Sequence, residues 1–125
     1  VYAIQNKMPI AAIKNKKGYF ISPTIDAISK SGNTSIPADT RASLTNTNAK
    51  DGYPISGLTW VLVYKNQNYN SRTIDQAKET KKLLKWMITD GQKYAEPLNY
   101  SPLSESLQRK ADAILNSLSY NGQKI

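Results

Sequence analysis

One apolar run dominates the pattern of hydrophobic and polar positions: Leu58–Tyr64, read LTWVLVY. It follows a polar lead-in with turn chemistry, Asp51–Gly57 (DGYPISG). The run has neither the period of 2 of a half-buried strand nor the 3.6 of a helix, and so predicts a strand covered on both faces. Two amphipathic patterns come after it. Thr73-x-x-Gln76 has the form of a capping box. The helix behind it carries Ile74, Ala77, Leu84, Met87 and Ile88 on one side and stops at Asp90-Gly91. Ser101-Pro102 is the expected opening of a second helix, with Leu103, Leu107, Ala111, Ile114 and Leu118 as its apolar stripe and Asn121-Gly122 as its stop. A buried strand followed by two such helices is half of an α/β layer, whose other strands are expected outside this chain.

The first half is weaker in pattern. Val1–Lys7 reads as the last turns of a helix ended by Met8-Pro9, and Ile10–Ile13 as a short strand. Asn15-Lys16-Lys17-Gly18 reads as a turn in which Gly18 takes a positive φ, before a second short strand at Tyr19–Ile21. In Ser22-Pro23-Thr24, Ser22 suits a helix cap and Pro23 the first helical position. Ile25 and Ile28 face one way on that helix, and Gly32 ends it. Asn33–Gly57 is long, polar and rich in Ser, Thr and Asn. Such a loop is uncommon in a compact domain, so it holds either a short strand, with Ala42–Thr45 as the candidate, or a functional crossover.

Composition narrows the function. The 125 residues include 17 Lys and Arg against 9 Asp and Glu, a net charge of +8. The lysines are scattered, and Lys78, Lys81, Lys82 and Lys85 read as a solvated helix face. Only Arg41, Arg72 and Arg109 are available for base readout, and no RNA-binding aromatic motif occurs, so nucleic acid is not an expected partner. Cysteine and histidine are both absent. Their absence removes disulfides, thiolate metal sites, a Cys nucleophile, the usual zinc ligand and any Ser-His-Asp triad. No catalytic residue, metal ligand or cofactor is expected, and an enzyme is not. No apolar run approaches the length of a membrane span. Val1-Tyr2-Ala3-Ile4 reads as the middle of an element, with the true N-terminus expected upstream.

Four constellations carry residue types that can form a site. Ser56-Gly57-Leu58-Thr59 could cradle an anion on backbone amides if it opened a helix, but it leads into the expected strand, so a turn is the favoured reading. Asp39-Thr40-Arg41 reads as a solvated local ion pair rather than part of a ligand shell. Glu96 and Glu105 lack a third group that would make them paired catalytic carboxylates. Tyr94, Tyr100 and Tyr120 could form a sugar-stacking face, although tyrosines of this kind more often pack helices with the hydroxyl wet.

Taken together and in order, YAIQNKMPIAAIKNKKGYFISPT, IPADTRASLTNT, DGYPISGLTWVLVYK and YAEPLNYSPL resemble the C-terminal part of the periplasmic phosphate-binding proteins. These are the substrate-binding subunits of the phosphate ABC transporter. The resemblance runs from about Tyr2 to the last helix. It implies an α/β fold: the C-terminal portion of a two-lobed, periplasmic-binding-protein-like (type II) receptor, incomplete on its own and closing on its ligand about a hinge. On that template residues 1–50 finish the second lobe, residues 51–57 form an interlobe crossover, and residues 58–125 supply a strand and helices to the first lobe. The crossover would be shaped by Pro54, and by Gly52 and Gly57 adopting backbone angles that other residues resist. The family's phosphate ligands are backbone amides, hydroxyls, an Arg and an Asp that accepts the phosphate proton. They lie in its N-terminal and middle portions. Ser56-Gly57 resembles the family's Ser-Gly-Thr turn but stands before a strand, so no phosphate-binding residue is carried over to this chain.

The resemblance implies a receptor segment that works in the periplasm, or on the outer face of the cell membrane of an exporting bacterium. It implies inorganic phosphate as ligand only together with the missing N-terminal portion, and an ABC transporter permease as partner. The exposed strand implies contact with that portion or with another copy of the chain. The alternative is a basic interaction or assembly module that reuses the same half-fold without ligand transport.

Overall fold

The computed structural model describes all residues, Val1–Ile125, as a small mixed helix and sheet structure. In chain order it runs α1 (Tyr2–Gln5), β1 (Ile13–Lys14), β2 (Phe20–Ile21), α2 (Ile25–Lys30), α3 (Ile74–Ile88), two 3-10 turns (Asp90–Tyr94 and Glu96–Leu98), α4 (Glu105–Leu115), β3 (Ser119–Tyr120) and β4 (Gln123–Lys124). The strands form two separate antiparallel hairpins, β1 with β2 and β3 with β4.

Local signals set most of these elements. The first hairpin turns at Asn15–Gly18, where Gly18 has φ +90° and donates its N–H to the Asn15 carbonyl at 2.9 Å. Thr73 caps α3 with the full reciprocal box: its hydroxyl accepts from Gln76 N, and Gln76 Oε1 accepts from Thr73 N. Helices α3 and α4 pack on each other, with Ala77 sealed between elements and Leu107, Leu115 and Leu118 buried. Lys85 of α3 reaches Asp112 of α4 at 2.6 Å, and Lys81 donates to the backbone carbonyl of Ile125. With Lys82 paired to Glu79 at 2.6 Å, three of the four lysines of α3 are therefore engaged rather than merely solvated.

Three caps sit elsewhere than expected. Helix α2 is capped by Thr24, whose hydroxyl accepts from Ala27 N at 3.1 Å. Ser22 instead accepts Thr24 N on its carbonyl, so Pro23 lies before the helix and not inside it. Helix α4 is capped by Ser104 rather than Ser101, because the Ser101 hydroxyl is committed to the Ile25 carbonyl at 3.1 Å. Asn121-Gly122 does not stop a helix. Both residues take positive φ, 48° and 79°, and make the two-residue loop of the β3–β4 hairpin, the conformation that the right-handed twist of paired strands favours. Gly32 follows α2, but not in the left-handed conformation. It is small because an added Cβ would press on the Ser29 carbonyl at 3.2 Å and Leu107 Cδ1 at 3.3 Å.

The long polar segment contains no strand at Ala42–Thr45. It is ordered instead by side chains. Ile36 and Leu44 are buried against Leu107, with Ala42, Leu58 and Leu103 packed around them. Thr47 donates to the Ser31 carbonyl at 3.1 Å, and Asn46 N donates to the Pro54 carbonyl at 2.7 Å. A loop that satisfies its backbone in this way needs no ladder.

The largest difference is at Leu58–Tyr64. The segment pairs with no other strand. From Leu58 to Val63 no backbone N–H or C=O takes part in a backbone hydrogen bond. Leu58 packs against the Ile36, Leu44 and Leu107 cluster, but the rest of the run is largely bare: Leu62 is 95% exposed, and Trp60, Val61 and Tyr64 are exposed as well. A strand exists only where a neighbour accepts its hydrogen bonds, and the hairpins of this chain lie elsewhere. Pairing begins just beyond the run. Lys65 O accepts from Ser119 N at 2.9 Å, and Gln67 N donates to Ser119 O at 2.7 Å, a parallel bridge.

Candidate functional site

The residues singled out from sequence do not converge. At the Ser56-Gly57 turn the Ser56 hydroxyl donates to the Tyr53 carbonyl at 2.8 Å and is thereby occupied. No helix begins there, so no set of free amides is gathered for an anion. Neither Gly52 nor Gly57 takes a positive φ, contrary to expectation. Gly52 is needed for space: a Cβ would lie 2.8 Å from Ser31 Cα and 2.9 Å from Ala49 Cβ. Around Gly57 nothing lies within 4 Å of such a Cβ.

A small cleft of about 40 Å³ lies beside this turn, lined by Ile28, Leu44, Leu58, Pro102, Leu103 and Leu107 together with Ser29, Ser101 and Ser104. Its Ser101 and Ser104 hydroxyls are bound to the Ile25 carbonyl and the Leu107 amide. With an apolar wall and no cationic side chain, it offers nothing to neutralise an anion.

Asp39 and Arg41 form the expected surface pair, 2.8 Å apart and well exposed. The side-chain hydrogen bond from Arg41, with its backbone N–H, holds the Asp39 carboxyl below its ordinary value. Lys30 donates to the Asp26 carboxylate and Lys82 to that of Glu79, and these hydrogen bonds hold both ammonium groups above their ordinary pKa. All are solvated pairs of the kind that contributes little to stability. Glu105 pairs with Arg109 at 3.2 Å, one turn along α4, and Glu96 sits in a 3-10 turn. The three tyrosines do not come together. Tyr94 packs on Trp86 with centroids 6.1 Å apart, Tyr120 donates to the Arg72 carbonyl at 2.7 Å, and Tyr100 stands exposed. No cluster of His, Cys, Asp and Glu could hold a metal, and no helix is long and apolar enough to cross a membrane.

Sequence reading missed the polar knot at Arg72. Its guanidinium donates to Gln67 Oε1 at 2.6 Å, Tyr69 Oη at 2.7 Å, the Gln76 carbonyl at 3.0 Å and the Thr80 hydroxyl. Gln67 is fully buried and donates in turn to the Tyr64 carbonyl. The knot fixes the chain just after the apolar run against α3. Every acceptor is neutral, so the knot orders structure and leaves no open position for a ligand. The feature with functional content is therefore the run itself. Leu58–Val63 is held at one end by Pro54 and Tyr53, whose N–H reaches the Ala27 carbonyl at 2.9 Å, and at the other by Gln67. Between them it presents apolar side chains and unused backbone groups.

No protein-family model matches the chain. Individual relatives do. Over 101 residues, 74% of this chain, it is 36% identical to the phosphate-binding protein PstS of Methanocaldococcus jannaschii. Over 115 residues, 90% of this chain, it is 30% identical to the proteins of the same name in two strains of Xylella fastidiosa. The matched stretch covers 26% of the archaeal relative and 30% of the bacterial ones.

Proposed function

From the premise that this chain is a homologue of a segment of the phosphate-binding protein PstS, we propose that it is part of a receptor that captures inorganic phosphate and hands it to an ABC transporter permease. The similarity across most of the chain carries this reading. The reading fits a protein that works outside the cytoplasmic membrane. It assigns the binding chemistry to residues beyond this segment, in keeping with the absence here of any gathered set of anion donors.

The finer architecture follows from the exposed run. In the complete receptor we place residues 1–50 at the end of one lobe, residues 51–57 in a crossover, and residues 58–125 in the other lobe, which closes on the first around phosphate. Leu58–Tyr64 then becomes an interior strand of the second-named lobe's sheet, apolar on both faces because both are covered. Its unpaired edges and bare side chains support this, since natural proteins do not leave such strands open.

Isothermal titration with inorganic phosphate tests the reading, on this chain and on the polypeptide its gene encodes around it. The expected result is no measurable heat for the 125 residues alone and saturable binding, selective over sulfate, for the longer product. A longer product that binds no phosphate would overturn the assignment.

A further inference from the structure

The β1–β2 hairpin carries a second feature that phosphate capture does not use. Ile13 and Ile21 are paired across the ladder and half-buried, which turns the alternate pair, Lys14 and Phe20, outward. Phe20 is 71% exposed. At the tip Lys16 and Lys17 stand in solvent, and Lys50 reaches over from the neighbouring loop to lie 5.2 Å from the centre of the exposed Tyr19 ring. None of these four lysines meets a carboxylate within 4.0 Å.

The patch is also rigid. The buried Asn15 side chain accepts from Lys17 N and Tyr19 N, both at 3.1 Å, and donates to the Lys50 carbonyl at 2.7 Å. One amide thus ties the hairpin tip to the loop that brings Lys50. A solvated charge run has no need of such fixing, and outward aromatic rings among unpaired lysines are a poor fit to water. Ammonium groups ringing exposed aromatic side chains match the interface of an anionic bilayer, where lysines meet headgroup phosphates and the rings sit at headgroup depth.

We propose that the Lys14, Lys16, Lys17 and Lys50 patch, with Tyr19 and Phe20, docks this protein on an anionic phospholipid surface. The assignment does not rest on phosphate capture, because it is argued from the side chains of the hairpin and of Lys50 alone. Flotation of the chain with vesicles of phosphatidylcholine mixed with phosphatidylglycerol tests it, with pure phosphatidylcholine vesicles as reference. Binding is expected to the mixed vesicles alone and to fall as salt rises. Lys16→Gln with Lys17→Gln should weaken it about 5-fold per lysine, roughly 25-fold together. Phe20→Ser should weaken it further, while Lys78→Gln with Lys124→Gln, which removes the same charge from exposed sites elsewhere, should leave it intact. Equal loss from the control pair would reduce the effect to diffuse net charge and overturn the proposal. So would capture by an immobilised acidic polypeptide without any vesicle binding, which would give the patch to an acidic protein face.

Discussion

Asn15 and Lys50 are thirty-five positions apart, yet the side-chain amide of one donates to the main-chain carbonyl of the other at 2.7 Å. The same amide lies 3.4 Å from the carbonyls of Ala49 and Gly52. It is the main link between the first hairpin and the long polar segment, and it is buried.

Asn15→Ala should therefore cost more than a surface change. It strands carbonyls at Lys50 and N–H groups at Lys17 and Tyr19 in a site that water reaches poorly. Leaving buried polar groups unpaired costs about 1–3 kcal/mol. Urea denaturation should show a lower midpoint with an unchanged slope. Asn15→Asp should not rescue it, because a carboxylate would face three carbonyl oxygens. A variant as stable as the parent would mean that water replaces the amide.

Two nearby glycines should answer differently to the same substitution. Gly52→Ala places a Cβ 2.8 Å from the backbone of Ser31, which is itself fully buried at the end of α2. Overpacking of this kind costs about 1–3 kcal/mol. Gly57→Ala meets open space and has no positive φ to lose, so its thermal midpoint should match the parent. Equal midpoints for the two variants would show that the loop carrying Gly52 shifts aside freely.

The Asp39–Arg41 pair gives a pH dependence of known sign. The hydrogen bond from Arg41 depresses the folded carboxyl below 3.8. A group whose folded pKa is lowered stabilises the fold above its unfolded value, and that contribution is lost as pH falls through the folded value. The effect belongs below about pH 4 and should be small at this exposed site. Following the Asp39 carboxyl carbon by NMR should give a titration midpoint that rises toward 3.8 in Arg41→Gln. An unmoved midpoint would mean that the pair does not persist in solution.

The parts of the fold that sequence made legible are those decided within a few residues. Thr73 and Gln76 face each other across one turn, so their reciprocal cap could be read from spacing alone. Leu107 of the expected stripe is buried on α4, whereas Leu118 is buried beyond the helix's end at Leu115, where no helical period applies. What stayed hidden depends on distant partners. Arg72 finds Gln67, Tyr69 and Thr80 only after the chain has folded back on α3, and no spacing rule picks out that set. The β3–β4 hairpin was missed although Asn121-Gly122 is its strongest local sign, because its strands are two residues each and show no alternation.

Leu62 provides the sharpest test of where the apolar run belongs. In this chain the side chain is 95% exposed and its backbone is unpaired. Leu62→Asp should thus alter the stability of the 125-residue chain by no more than about 0.5 kcal/mol, the range for surface changes. The proposal puts this segment inside a sheet covered on both faces in the complete receptor. There the same substitution buries a carboxylate with no partner, which costs several kcal/mol even after the group takes up a proton. The longer product should then fold poorly, lose its cooperative melt and bind phosphate weakly or not at all. Leu62→Ile, which keeps the volume and suits a strand, should preserve both properties. Comparing thermal melts of the two variants in both contexts separates an interior strand from an exposed connection. If Leu62→Asp leaves the longer product with parental stability and phosphate affinity, Leu58–Tyr64 is not a strand of its sheet.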